Sequence, residues 1–188
     1  VLRRVAKGVY YRSTPTTFGL SVPGASAAAA QSLRAPVHPA GLTASGVLGL
    51  TTQNPRRLEY ATPAPASPTA LRNAIVHTGR PQGRALLSAE EGAILEVLRE
   101  RARSSDLSAH ETAERLLRLL TDEKRFALLV GVALDEPPRV RAMLGALGQQ
   151  LDMPPRLLDR LKGSLNPLSR FDFGELASLP HAKEWQAK

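Results

Sequence analysis

Two serine-led capping patterns and two Pro-Pro pairs divide residues 88–163 into short segments, and no long continuous helix can form there. Ser88-Ala89-Glu90-Glu91 and Ser108-Ala109-His110-Glu111 each put a hydroxyl at a helix start and a glutamate three residues on. The hydroxyl accepts a first-turn N–H and the glutamate reaches back, which is a capping box. Thr121 supplies a third start. Pro137-Pro138 and Pro154-Pro155 each end one helix and open the next, because proline tolerates only the first turn. Between these marks the apolar residues recur at helical spacing. The stripes are Ile94, Leu95 and Leu98; Ala109, Ala113, Leu116, Leu117 and Leu120; Phe126, Leu129, Val130 and Ala133; Val140, Met143, Leu144, Leu147 and Leu151; and Leu157, Leu158 and Leu161. Five helices with short gaps predict a compact antiparallel bundle. The tail from Leu165 to Lys188 is less regular, and Trp185 is expected to dock it.

The first half reads differently. Leu2-Arg3-Arg4-Val5 and Val9-Tyr10-Tyr11-Arg12 alternate as strands around Ala6-Lys7-Gly8, a hairpin pattern with a basic tip. Thr14 to Pro23 is expected to be a loop, and Ala25 to Leu33 an Ala-rich helix. Gly41 to Leu48 reads as a second short helix ending near Gly49. Arg57 to Thr62 reads as a strand, Pro63 to Pro68 as a stiff loop, and Leu71 to Thr78 as a partner strand. The fold class expected is therefore α+β, with a small mixed region over residues 1–83 and a helical domain over residues 84–188.

Charge follows the same division. The 188 residues carry a formal net charge of +8. Residues 1–90 hold ten Lys/Arg against Glu59 and Glu90, whereas residues 91–188 hold fifteen charges of each sign. A basic half joined to a neutral half points to a nucleic-acid-facing part and a protein-like part. Within the neutral half, Arg99, Arg101, Arg103, Arg115 and Arg118 interleave with Glu96, Glu100, Glu111 and Glu114. That mixture reads as a solvated, ion-paired face. In the basic half, Arg3, Arg4, Lys7 and Arg12 are the candidate DNA contacts, since cations beside aromatics suit phosphate backbones and grooves.

Catalytic signatures are missing. The chain has no cysteine, which removes disulfides and thiolate metal sites and suits the cytoplasm. His38, His77, His110 and His181 are scattered without metal-ligand spacing and read as structural or solvated. Glu90-Glu91 and Asp122-Glu123 fall in first helical turns, where acids complement the helix dipole; Asp135-Glu136 precedes Pro137 and is placed to serve the next helix. No nucleophile elbow or phosphate loop occurs. The expectation is a non-enzyme with no cofactor and no metal. No apolar run approaches the roughly 20 residues of a membrane span.

Three stretches resemble the AbiEi-type antitoxins of type IV toxin-antitoxin systems. Leu2 to Arg12 resembles the wing that ends that family's winged helix. Pro39-Ala40-Gly41-Leu42-Thr43-Ala44-Ser45-Gly46-Val47-Leu48-Gly49-Leu50-Thr51-Thr52-Gln53-Asn54-Pro55 is similar to its Leu-Gly-Leu-Thr-Thr-Gln-x-Pro signature. Arg57 to Thr62 resembles the strand that follows. Ala40 departs from the usual serine, and Ser45-Gly46 from the usual Ala-Asn. The likeness covers about residues 1–80. Two stretches of the second half, Glu136–Leu147 and Ser164–Gly174, also look like the C-terminal region of some related proteins.

The resemblance implies a truncated winged helix whose recognition helix would precede Val1. It implies binding to promoter DNA, with autoregulation, and neutralisation of a nucleotidyltransferase-type toxin. Ser45, Thr51, Thr52, Gln53, Asn166, Arg170 and Asp172 are the partner-binding candidates, though their residue types equally fit turns. The charge split alone also fits a DNA-binding regulator with a helical ligand or dimerisation domain and no toxin. A third reading, an enzyme whose acids or histidines meet only in space, requires a polar pocket that gathers two or more of them.

Overall fold

The computed structural model describes residues 2–6, 9–17, 19–21, 36–67 and 74–188. The class is α+β. Strands β1 (Leu2–Ala6) and β2 (Val9–Arg12) form an antiparallel ribbon. Strands β3 (Pro15–Thr16) and β4 (Gly19–Leu20) form a second, minimal hairpin. The segment expected to be plain loop thus pairs with itself: Thr14 and Ser21 are joined by a backbone hydrogen bond at 2.9 Å. The helix expected over Ala25–Leu33 lies outside the described residues.

A three-stranded sheet follows, in the order β5 (His38–Pro39), β6 (Leu58–Ala61), β7 (Ala74–His77). The first pair is antiparallel, with His38 opposite Ala61; the second is parallel, with Tyr60 opposite Val76. Helix α1 (Gly41–Val47) lies between β5 and β6 in sequence and packs on both.

Five helices make the second half: α2 (Ala89–Arg99), α3 (Ala109–Leu119), α4 (Glu123–Ala133), α5 (Pro138–Gln150) and α6 (Pro155–Gly163). Both capping boxes form as the sequence predicts, at Ser88 and Ser108. The α4 cap is Asp122 rather than Thr121; its carboxylate accepts from the Arg125 N–H at 2.7 Å. Both proline pairs sit at helix starts.

Helix α5 is the hub. It packs against α2, α3, α4, α6 and a 3-10 turn at Lys183–Trp185. Seven consecutive residues, Ala142 to Gly148, are buried. Its glycines explain how rings approach so closely: a β-carbon at Gly145 would run into Trp185, and one at Gly148 into Phe126. Trp185 is 1% exposed and donates from Nε1 to Gln149 Oε1 at 2.6 Å, which docks the tail as expected.

The expected division at residues 83/84 falls inside continuous packing. One apolar cluster contains Ala44, Leu48 and Leu50 together with residues of all five later helices. Buried charge spans the same boundary. Arg80 grips Glu96 with two hydrogen bonds of 2.7 and 2.9 Å. Arg84, 0% exposed, bridges Glu96 and Glu136, and Arg99 holds the second oxygen of Glu136. Glu96 was expected on a solvated face and is 1% exposed instead. Glu136, assigned from sequence to the start of α5, instead turns inward between two arginines. The sequence shows the charges but not that Arg80 and Arg84, from a 3-10 turn at Gln82–Leu86 and its approach, meet them.

Candidate functional site: a cleft built on residues 42–58

The run Leu48-Gly49-Leu50 ends α1 in a specific way. The Leu50 N–H donates to Ser45 O at 2.8 Å and the Gly49 N–H to Gly46 O at 3.1 Å. Gly49 has φ 69°, the left-handed region that a residue with a side chain enters at a cost. This is a Schellman cap, with the glycine just past the helix and apolar residues on both sides. Leu48 and Leu50 are both fully buried. Arg115 of α3 completes the cap by donating from Nε to Leu48 O at 2.8 Å. The Leu48-Gly49-Leu50 run is therefore a helix stop anchored in the core.

The next residues leave the core. Thr51 Oγ1 accepts from the Gln53 N–H at 3.0 Å and donates to Asp106 Oδ2. Gln53 Nε2 donates to Asp106 Oδ1 at 2.6 Å, and the Asp106 N–H donates to Leu50 O at 2.9 Å. One aspartate in the α2–α3 connection thus pins the segment from three directions. Asp106 had no place among the sequence candidates. Its distance of 55 residues from Thr51 leaves no local signal.

The pinned segment, α1 and Leu58 at the start of β6 together line a cleft of about 300 Å³. Its lining combines Thr51, Thr52, Gln53 and Pro55 with the apolar Leu42, Val47 and Leu58. Val47 is 51% exposed, an apolar side chain left uncovered at the rim. Thr52 and Gln53 are exposed as well. Three of the partner-binding candidates therefore meet in one concave surface. Ser45 does not join them: it is 0% exposed and its hydroxyl faces the interior of α1's packing.

The other three candidates lie elsewhere. Asn166 Oδ1 accepts from the Leu168 N–H at 3.0 Å, closing a turn. Arg170 donates to the carbonyls of Pro167 and Ser169 in that same turn. Asp172 accepts from the Gly174 N–H at 2.9 Å and pairs with Arg101 and Arg103. They fix the chain after α6 and do not line the cleft.

Among the DNA-contact candidates, Arg3 and Arg4 lie in β1 opposite Tyr11 and Tyr10, and Leu2 lies opposite Arg12. Arg12 is exposed and Tyr10 is 58% exposed. Tyr11 shares a 2.9 Å hydrogen bond with Ser21, which ties the ribbon to the β3–β4 hairpin. Lys7 lies outside the described residues.

Among the described residues no cluster of His, Asp and Glu is arranged to hold a metal ion, and no helix is long and apolar enough to cross a membrane. A larger cleft, about 620 Å³, contains both members of the Asp135-Glu136 pair beside Arg99 and Gln82. Glu136 there already accepts from Arg84 and Arg99 with its two oxygens. His38 is buried beneath α2, against Gly92, where a β-carbon would overlap its ring. Its Nε2 donates to Arg84 O at 3.0 Å. Burial, and then the Arg84 charge, push its pKa below the ordinary histidine range. Comparison with protein-family models, with curated proteins and with solved structures finds no match to the chain.

Proposed function

We propose that this protein is an antitoxin-type regulator that contacts DNA through the β1–β2 ribbon and acts on its toxin system through the 42–58 cleft. The observation that carries the reading is the form of the signature-like run. Its Leu-Gly-Leu half is consumed in a buried helix cap, while its Thr-Thr-Gln half is held outward by Asp106. Fixing polar residues at the rim of an uncovered apolar cleft is a costly arrangement for a turn that only connects α1 to β6. It is what a recognition surface needs, since a preordered surface saves the entropy of ordering on binding.

The ribbon supports the DNA-contacting part. Two arginines pair in register opposite two tyrosines in an antiparallel ribbon whose Tyr10 and Arg12 are exposed, within the half of the chain that carries the whole charge excess. Phosphate contacts of that kind position a protein and make its affinity salt-dependent without specifying sequence. The toxin system implied is that of a nucleotidyltransferase encoded beside this gene. Co-expression tests the reading: growth restored in cells that produce the nucleotidyltransferase supports it, and unchanged killing at matched expression contradicts it.

A regulator with a ligand-binding helical half and no toxin is the second reading. The 620 Å³ cleft between the 79–82 segment and the α4–α5 junction is the observation that favours it.

A further inference from the structure

Just past the end of α2, two arginines compete for one carboxylate, and a third sits at the start of α5 without an ion pair among the described residues. Arg101 and Arg103 share the carboxylate of Asp172, and Arg139 lies within their electrostatic reach. That carboxylate is already occupied: Oδ1 takes the Gly174 N–H at 2.9 Å and Oδ2 takes Arg101. Arg103 reaches the same Oδ2 only at 3.7 Å, with its side chain 60% exposed. Arg139 donates to the Arg99 carbonyl at 2.9 Å and makes no ion pair among the described residues. The Nε–H groups of Arg101 and Arg139 are buried without an acceptor among the described residues.

The backbone is bent to produce this cluster. Arg101 and Ala102 both have positive φ, 63° and 56°, a backbone region that side-chain-bearing residues rarely adopt. Gly174 locks the bend: the Glu175 N–H donates to Arg101 O at 3.2 Å, and a β-carbon at Gly174 would lie 2.6 Å from that oxygen. Burial lowers the pKa of the Arg139 guanidinium, and the fields of Arg101, Arg103 and Arg99 lower it further, against the opposing charge of Asp172. The contrast with the interior network is plain, since there Arg80, Arg84 and Arg99 are each paired with a glutamate.

We infer that Arg101, Arg103 and Arg139 form an anion site for a phosphate group, with Asp172 as the internal competitor for the same guanidiniums. Guanidiniums match phosphate oxygens in fork geometry, and three of them exceed what one carboxylate can neutralise. The inference is independent of the regulator reading. Asp172 keeps the cluster compact until a phosphate bridges Arg103 and its neighbours.

The test is a calorimetric titration of the full chain with pyrophosphate, and in parallel with a short DNA duplex of arbitrary sequence. Arg103→Ala removes the most exposed cation and leaves the Arg101–Asp172 pair in place. It should weaken phosphate binding about tenfold, as expected for one lost charge-assisted contact. Asp172→Asn keeps Oδ1 for the Gly174 N–H and removes the competing charge, so it should bind more tightly than the native protein. A residue that only braces the fold would give the opposite sign. Loss of pyrophosphate binding in Arg103→Ala identifies a free phosphate ligand. A loss seen only with the duplex, with the salt dependence reduced by about one ion, identifies backbone phosphate. No saturable binding of either probe, or binding that Arg103→Ala leaves unchanged, overturns the site.

Discussion

Arg84 and Glu136 lie 52 residues apart in sequence, are joined at 2.6 Å, and both side chains are wholly removed from solvent. Arg84 also holds Glu96, so one guanidinium serves two buried carboxylates. Removing it leaves Glu96 with Arg80 alone and Glu136 with Arg99 alone, so the buried network loses its central charge. Arg84→Met is therefore expected to cost about 3 kcal/mol, the low end of the range for breaking a buried ion pair, because Arg80 and Arg99 remain. Urea denaturation measures it, and a loss below about 1 kcal/mol would show that water reaches the network.

Acid should weaken the fold in two steps. His38 has a folded pKa below its ordinary 6.5, so the unfolded chain binds its proton more readily. Its contribution is fully present above pH 6.5 and is lost as pH falls through the lowered value. Glu96 follows at lower pH. Burial raises its pKa, but the Arg80 hydrogen bonds and the Arg84, Arg80 and Arg99 charges outweigh that and hold it below the ordinary 4.5. Its contribution is present above pH 4.5 and is lost below. Denaturation midpoints across pH 4–8 should decline from about pH 6.5 in the native protein. In His38→Gln the decline should begin only near the carboxylate range.

Gly92→Ala and Gly145→Ala should each destabilise, although alanine is the better helix former by about 1 kcal/mol. The added methyl meets the His38 ring in one case and the Trp185 ring in the other. Overpacking of this kind costs about 1–3 kcal/mol. Thermal melts read the sign directly.

DNA affinity should depend on the ribbon. Replacing Arg3, Arg4 and Arg12 together with alanine should lower the slope of log affinity against log salt by up to about 3. Anisotropy with a promoter duplex measures it, and thermal melting serves as the control for folding. An unchanged slope would remove the ribbon from the interface.

Much of the helical half is legible in the sequence because its signals are local. A serine three residues before a glutamate, or a proline pair, acts within one turn, and Ser88, Ser108, Pro138 and Pro155 all stand where those rules put them. The same locality gives Gly49 as a helix stop. What sequence does not show is long-range. Glu96 reads as one more surface acid until Arg80 and Arg84 fold onto it. Asp106 reads as a loop residue until Thr51 and Gln53 reach it. The cleft is half visible for that reason: its polar residues stand together at 51–53, while the residue that orients them, Asp106, comes from beyond the end of α2.

The working surface can be separated from the fold with two exposed residues. Val47→Asp with Thr52→Arg places two charges in the lining of the 42–58 cleft and touches no buried group. In cells producing a nucleotidyltransferase toxin of the kind proposed as its partner, at matched levels and with an unchanged melting temperature, native protein should restore growth and the double variant should not. Growth restored equally by both would contradict the assignment of the cleft.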